Sequence, residues 1–162
     1  MIPWKGDIND YYMNLLIIFG AKYLVFVIIL IAAVYAYGLP SEKRKELLIF
    51  ALFSLPLAYV VAKIASALYF NPRPFVVGNF SPLIAHAADN GFPSDHTLLS
   101  AAVATAVYFF YRKLGIWLLS LSVLVGLSRV AAGVHHLLDI FASVIIAFVT
   151  GMIVWKFRNR KI

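Results

Sequence analysis

His135 and Asp139 stand four residues apart at the start of an apolar segment. Residues at positions i and i+4 share one face of a helix, so the carboxylate can accept the N–H of one imidazole nitrogen. That bond would fix the tautomer and leave the other nitrogen to act as a nucleophile or a base. The alternative is a plain helix-surface pair, and the spacing alone does not decide between them. His136 points elsewhere on the same helix and is interpreted as structural.

A second chemical group is the stretch 92–97, Phe-Pro-Ser-Asp-His-Thr, which precedes another apolar run. Pro followed by Ser is typical of a helix start. The free N–H groups and positive dipole end of such a helix favour a bound anion. Ser94 could add a hydroxyl donor, and His96 could donate or accept a proton at the mouth of the site. In the simpler interpretation, Ser94 or Asp95 only caps the helix.

Arginines flank both histidine segments. Arg73 and Arg129 are expected at the same ends of their helices as the histidines, and a guanidinium fork suits phosphate. Snorkelling to lipid headgroups would explain either arginine alone. Lys63, within the preceding apolar segment, could reach the same anion or could snorkel. Positioned cations, a nucleophile and a proton donor are what phosphoryl transfer requires.

The elements that must position these groups are membrane helices. The 162 residues are 63% hydrophobic and 13% charged, far from the composition of a soluble domain. A crossing needs roughly 20 mostly apolar residues, and five segments come close. We predict an all-α integral membrane bundle of about five transmembrane helices in one domain, residues 1–162. The predicted spans are residues 13–37, 47–70, 96–111, 116–134 and 137–155, of which the third is short and is expected to begin near Ser94.

The distribution of basic residues predicts an orientation. Nine of the fourteen lysines and arginines fall in three connections that five crossings bring to one side. By the positive-inside rule that side, with the C-terminus, is cytoplasmic. All four histidines then lie on the non-cytoplasmic side of the cell membrane. The nine residues are Lys43, Arg44, Lys45, Arg112, Lys113, Lys156, Arg158, Arg160 and Lys161.

Composition also excludes several classes. Cysteine is absent, so disulfides and thiolate metal sites are ruled out. The net charge of +7 is split among short loops without aromatic interleaving, which argues against nucleic-acid binding. The first apolar segment is too long for a cleavable signal and is interpreted as an uncleaved anchor. Residues 1–12, with Trp4, Tyr11 and Tyr12, are predicted to be an interfacial segment.

Three motifs resemble the signatures of the type-2 phosphatidic acid phosphatase superfamily. The stretch 93–96 is similar to its second signature, Pro-Ser-Gly-His, and Arg73-Pro74 resembles the end of its first. Ser128 and Arg129, five further residues, His135, three residues and Asp139 match its third. The resemblance implies a helical core like that of vanadium haloperoxidases and catalysis without a metal or cofactor.

Carried over, the resemblance assigns roles. His135 looks like the nucleophile, Asp139 its orienting partner, and His96 the general acid that later activates water. The phosphate binders implied are Arg73, Arg129, Ser94 and the amide near Asp95. There are three departures. Asp95 replaces the signature glycine, nine residues instead of six separate Lys63 from Arg73, and family members often have six spans where we count five.

The denser match over residues 69–76, 86–89 and 92–97 looks like the bacitracin-resistance undecaprenyl-diphosphate phosphatases. It implies release of phosphate from a polyprenyl diphosphate in the outer leaflet and recycling of a cell-wall carrier lipid. His86 and Asp89 would then shape the headgroup site. Phosphatidylglycerophosphate, phosphatidate and lipid A phosphates are alternative substrates. Other interpretations are a metal-dependent hydrolase that uses the same histidines and aspartates, and a small transporter or channel subunit.

Overall fold

The computed structural model describes residues 8–160. This part of the chain is helical, with an isolated bridge between Pro72 and Asn90. The predicted interfacial segment 1–12 is described only from Ile8, where it forms the first turns of α1, and Lys161 lies outside the described residues. The helices are α1 (Ile8–Lys22), α2 (Leu24–Tyr37), α3 (Ser41–Leu68), α4 (Pro74–Val77), α5 (Asp95–Phe110), α6 (Arg112–Ala131) and α7 (Leu137–Asn159).

The helices of residues 8–160 confirm a multi-pass membrane protein. Helices α3, α6 and α7 are long and apolar enough to cross a membrane, and α1 with α2 makes a fourth crossing if the bent pair counts as one. Helix α5, the third predicted span, has 16 residues, about 24 Å, against a hydrocarbon core of about 30 Å. It packs against α2, α3, α6 and α7, so it is the central helix of the bundle.

Small and hydroxylated residues let the neighbours of α5 approach closely. Ala101 and Ala104 are fully buried on α5. At Gly115 of α6, an added Cβ would lie only 2.2 Å from the backbone of Tyr108 on α5. This close packing fixes α6, which carries Arg129, relative to α5, which begins at Asp95.

The sequence predicted one helix over residues 13–37, and the structure corrects this. The chain bends by 51° between α1 and α2, at Tyr23. Arg129 donates from Nη1 to the carbonyl of Ala21 at 3.1 Å. A side chain that enters the backbone hydrogen-bond ladder is a common cause of a kink. The bend is therefore coupled to a predicted site residue.

The three basic connections meet at one end of the bundle. Arg158 on α7 pairs with Glu46 on α3, and Arg44 donates to the carbonyl of Tyr37 at 3.4 Å. Tyr35 stacks on Tyr111, which joins the end of α2 to the α5–α6 connection. The fold thus confirms that these connections share a side, as the charge pattern predicted.

The opposite end is built from the segments 69–94 and 132–136. Asn90 anchors the first segment: its side-chain amide donates to Ser66 and to the carbonyl of Tyr69 at 2.9 Å, and its Oδ1 accepts from the amide of Asn71 at 2.9 Å. Gly133, with φ of 78°, ends the turn after α6, a conformation that favours glycine. The polar residues predicted to do chemistry lie at this end.

Candidate active site

His135 and Asp139 form the predicted pair. The imidazole Nδ1 lies 3.3 Å from Oδ2 of Asp139 and 2.9 Å from the carbonyl oxygen of Gly91. Both neighbours can only accept, so we assign the hydrogen of the neutral ring to Nδ1. The lone pair is then on Nε2, which lies 3.3 Å from Nη1 of Arg73. A neutral imidazole in this tautomer is the form that can act as a nucleophile through Nε2.

Asp139 is fully buried, and three donors satisfy its carboxylate. Besides His135, the backbone N–H of His136 donates to Oδ2 at 2.8 Å, and the side-chain amide of Asn71 donates to Oδ1 at 2.7 Å. Asn71 was not among the predicted site residues. Its position directly before the Pro72-Arg73 step of the first motif was the available signal, since a loop that carries one site residue often carries its support.

Arg73 is held from several sides and is 5% exposed. Its Nε donates to Oδ1 of Asp89 at 2.8 Å, its Nη1 to the carbonyl of Val134 at 2.9 Å, and its Nη2 to the carbonyl of Asn90 at 3.3 Å. These bonds fix the guanidinium beside Nε2 of His135 before any ligand binds. Asp89, which is predicted to shape the headgroup site, lines the cavity and contacts this arginine.

Arg129 is carried by α6 and is 2% exposed. Its Nη1 bonds to Ala21, and no described residue accepts a hydrogen bond from its Nε. A buried, charged donor without an acceptor costs free energy, and the residue lines the cavity in front of His135. An anion in this cavity would supply the missing acceptor.

Eight of the ten predicted site residues line one cavity of about 290 Å³ at this end of the bundle. His96 and His135 line the same cavity, although they are 39 residues apart in the chain, and both arginines face it. The polar residues along its wall are Lys63, Ser66, Arg73, His86, Asp89, Asn90, Asp95, His96, Arg129 and His135.

His86 and Asp89 belong to the outer part of this wall. The rings of His86 and His135 lie edge to face with centroids 6.0 Å apart. Burial lowers the pKa of His86, and the charge of Arg73 lowers it further. Burial alone would raise the pKa of Asp89, but the hydrogen bond from Arg73 brings it below its usual value. At neutral pH the pair is a neutral imidazole and a carboxylate.

Ser94, like Asp139, is a predicted site residue that does not line the cavity. It is fully buried, its hydroxyl oxygen accepts from Thr97 at 3.0 Å, and its carbonyl accepts from Ser143. It occupies the N-cap of α5, but its side chain makes no capping bond. The serine therefore links α5 to α7 behind the cavity wall.

The electrostatics favour a neutral His135. Burial lowers its pKa, the hydrogen bond to Asp139 raises it, and the charges of Arg129 and Arg73 lower it again. The balance lies below the usual value. A neutral imidazole is the form that can attack phosphorus, so the arginines that attract a phosphate also keep the ring deprotonated.

The histidines and aspartates do not assemble a cation site. Within residues 8–160, no group of three or more His, Cys, Asp or Glu side chains is arranged to hold a metal ion. The guanidinium groups of Arg73 and Arg129 line the same cavity as His135.

The apolar bundle, its His–Asp pair and two buried guanidiniums at one cavity are the features of a membrane-embedded phosphatase. The model of the PAP2 superfamily matches residues 47–162, and the chain belongs to this superfamily. The resemblance drawn from the three motifs is thereby confirmed. The roles of the individual residues stay predictions.

Three bacterial proteins are similar in sequence to most of the chain. It is 32% identical over 148 residues to the undecaprenyl-diphosphatase BcrC of Bacillus subtilis. The matched region covers 91% of this chain and 76% of that protein. The bacitracin transport permease protein BcrC of Bacillus licheniformis is 32% identical over 88% of this chain and 70% of its own. The putative undecaprenyl-diphosphatase YbjG of Escherichia coli is 32% identical over 93% and 78%.

Two solved structures share the fold. LpxE of Aquifex aeolicus superposes with a TM-score of 0.68 at 22% identity over 94% of this chain and 88% of that one. The PAP2-type phosphatidylglycerolphosphate phosphatase of Bacillus subtilis gives a TM-score of 0.55 at 20% identity over 96% and 89%. The predicted helical phosphatase core is confirmed at the level of fold.

Proposed function

We propose that the protein hydrolyses the terminal phosphate of a membrane lipid phosphate, with undecaprenyl diphosphate as the preferred substrate. One observation carries the proposal: Nε2 of His135, with Nδ1 protonated toward Gly91 and Asp139, faces a cavity that Arg73 and Arg129 also line. A neutral nucleophile in one cavity with two buried cations suits attack on a phosphate group.

In the first step Nε2 of His135 attacks the terminal phosphorus, and the bond from phosphorus to the bridging oxygen breaks. The lipid leaves with one phosphate fewer, and His96 donates a proton to the leaving oxygen if it needs one. Asp139 and Gly91 stabilise the positive charge that develops on the imidazole through the Nδ1 hydrogen. The product of this step is a phosphohistidine.

In the second step His96 takes a proton from water, and the resulting hydroxide attacks the phosphohistidine. The P–N bond breaks, phosphate is released, and His135 regains its neutral form. Arg73 and Arg129 bind the equatorial oxygens throughout, so their charges stabilise both transition states. General acid–base catalysis of this kind contributes roughly 10²–10⁴ in rate.

The substrate is inferred from the relatives. Two of them are named as undecaprenyl-diphosphatases, and each aligns over more than nine-tenths of this chain. We propose the same substrate here, with the active site on the non-cytoplasmic side and the C-terminus in the cytoplasm, as the basic connections indicate. Phosphatidylglycerophosphate and phosphatidate are the alternative substrates within the superfamily.

The direct test is phosphate release by protein purified in detergent. The same preparation is given undecaprenyl diphosphate and phosphatidylglycerophosphate, with and without EDTA, beside a His135→Ala control. We expect the higher kcat/KM with the diphosphate, unchanged activity in EDTA and none in the control. Loss of activity in EDTA that one divalent ion restores would favour the metal-dependent alternative. A preparation that releases phosphate from neither lipid would contradict the proposal and would favour the interpretation as a transporter or channel subunit.

A further inference from the structure

A lysine and an aspartate stand where the polar cavity meets the apolar interior. Nζ of Lys63 on α3 lies 3.7 Å from Oδ1 of Asp95 on α5 and 5.0 Å from the centre of the Tyr59 ring. The two charged side chains are 52% and 67% exposed. A long, half-exposed ion pair of this kind is weak, so its ammonium can exchange one anion for another at little cost.

The Lys63–Asp95 pair lies between the polar cavity and an apolar groove deeper in the bundle. Helix α3 ends at Leu68 beside the cavity, so Lys63 lies one to two turns deeper in the bundle. Helix α5 begins at Asp95 and runs away from the cavity. Below the pair the two helices enclose an apolar groove, which shares Asp95 with the cavity above. Its other lining residues are Leu55, Ala58, Tyr59, Leu98, Leu99 and Ala102.

From the outer end inward, the chain therefore presents the imidazole of His135 with two guanidiniums, then the ammonium of Lys63, and then the apolar groove. A polyprenyl diphosphate has the same order of groups: terminal phosphate, second phosphate, apolar chain. Lys63 is the only lysine or arginine besides Arg73 and Arg129 among the described residues that line the cavity. The two buried arginines suffice for the phosphate that is attacked, which leaves the ammonium for another anion.

We propose that Lys63 binds the second, lipid-proximal phosphate of a diphosphate substrate and so determines preference for diphosphates over monophosphates. The inference rests on the proposed function and specifies the substrate class at the same site. Asp95 is the resident counter-ion that holds Lys63 at the junction until the substrate phosphate replaces it. The apolar groove receives the first part of the lipid chain.

The register of the sequence supports a distinct role for this lysine. Six residues separate Ser66 from Arg73, so a serine occupies the place of the signature lysine. The Ser66 hydroxyl accepts from the side chain of Asn90 at 3.1 Å. Lys63 is one helical turn deeper on the same helix. A cation displaced toward the groove by one turn lies beyond the phosphate at His135 and nearer to the next group of the substrate.

The experiment compares two competitors that the enzyme cannot cleave, farnesyl methylenediphosphonate and farnesyl phosphonate, as inhibitors of phosphate release from farnesyl diphosphate. Lys63→Met removes the charge and keeps a chain of similar length. We expect it to raise Ki for the diphosphonate about tenfold and to change Ki for the monophosphonate by less than about twofold. Lys63→Arg, which keeps the charge, should stay within about threefold of wild type for both.

Lys45→Met is the matched control. It makes the same substitution on the same helix, about 27 Å away at the basic end, and both Ki values should stay unchanged. Equal increases for the two competitors in Lys63→Met, no increase in either, or a Lys63→Arg variant as weak as Lys63→Met would overturn the assignment. If the wild type released no phosphate and bound neither competitor, the proposed function would fail, a result separate from all of these.

Discussion

A residue with no charge supports His135 through Asp139. Asn71 holds Oδ1 of Asp139 at 2.7 Å, the shortest bond that this buried carboxylate makes. Because the carboxylate is fully buried, removal of one donor leaves an oxygen unsatisfied, at a cost of about 1–3 kcal/mol. We expect Asn71→Ala to lower kcat by roughly tenfold to a hundredfold, with KM little changed, in steady-state assays of phosphate release.

Asn90→Ala is the control for that prediction, since its side chain anchors the same loop through Ser66 and Tyr69. A fall in kcat as large in this control as in Asn71→Ala would show that the loop, not the contact with Asp139, is responsible. Thermal midpoints of both variants separate a local effect from unfolding.

The pH dependence should report the titration of His135. Its pKa lies below the usual value because burial and the charges of Arg129 and Arg73 outweigh the bond to Asp139. Neutral His135 is the active form, so activity is present above this pKa and is lost as the pH falls through it. We expect the acid limb of kcat/KM below about pH 6.5.

The acid limb could come from titration of His135 or of the substrate phosphate. Two substrates whose phosphate groups differ in pKa distinguish these cases. The limb that belongs to His135 stays at the same pH with both. A limb that lies above neutrality with both substrates would mean that the arginines do not keep the imidazole neutral.

At the residue scale, the sequence pointed to the charged and imidazole side chains that the structure brings together at one end of the bundle, but not to the groups that hold them in place. His135, Asp139, Arg73, Arg129 and His96 have chemistry that a side-chain type reveals. Asn71 and the carbonyl of Gly91 matter only through where the loop brings them, and no local pattern fixes a contact over 68 residues of chain.

At the scale of elements, close helix packing aligns the parts of the site. Gly115 on α6 has no room for a Cβ, because the backbone of Tyr108 on α5 would lie 2.2 Å away. Gly115→Ala should force the two helices apart and lower stability by about 1–3 kcal/mol, measured as the thermal midpoint in detergent.

Gly38→Ala serves as the control, since its added Cβ would have its nearest neighbour at 3.6 Å. A midpoint in Gly115→Ala no lower than in Gly38→Ala would contradict the packing argument. Loss of activity in Gly115→Ala at a temperature where it is still folded would link this spacing to the site.

Hydropathy predicted where the helices lie, but not where they bend or end. The apolar run over residues 13–37 has no proline or polar cluster at Tyr23, so nothing local predicts the 51° bend. The bend depends on Arg129 reaching the carbonyl of Ala21 from a helix more than a hundred residues away in the chain. In the same way, the fourth predicted span overran α6, which ends at Ala131 before the turn at Gly133.

At the scale of the whole molecule, the chain separates a basic end from a catalytic end. Because the sequence has no cysteine, single cysteines can report the orientation. We expect Asn79→Cys, in the loop beside the cavity, to react with a membrane-impermeant maleimide in intact cells. Lys113→Cys, in the first turn of α6, should react only after the membrane is opened. The opposite pattern would invert the proposed topology.

The large-scale arrangement was the most predictable part, since charge and hydropathy act over whole segments. Three connections predicted to share one side do meet, through Arg158–Glu46 and Tyr35–Tyr111. The count of five crossings depends on α5, whose 16 residues are too few to pass as a span by length. Its length reflects burial inside the bundle, which hydropathy does not measure.

The account depends most on a covalent phosphate on His135. A single-turnover experiment with a diphosphate labelled with ³²P in its terminal phosphate, quenched in base within the first turnover, tests this directly. We predict label on the intact protein that acid removes and base does not, with none in His135→Ala. Release of labelled phosphate by the wild type without any labelled protein, or label that persists in His135→Ala, would contradict the mechanism.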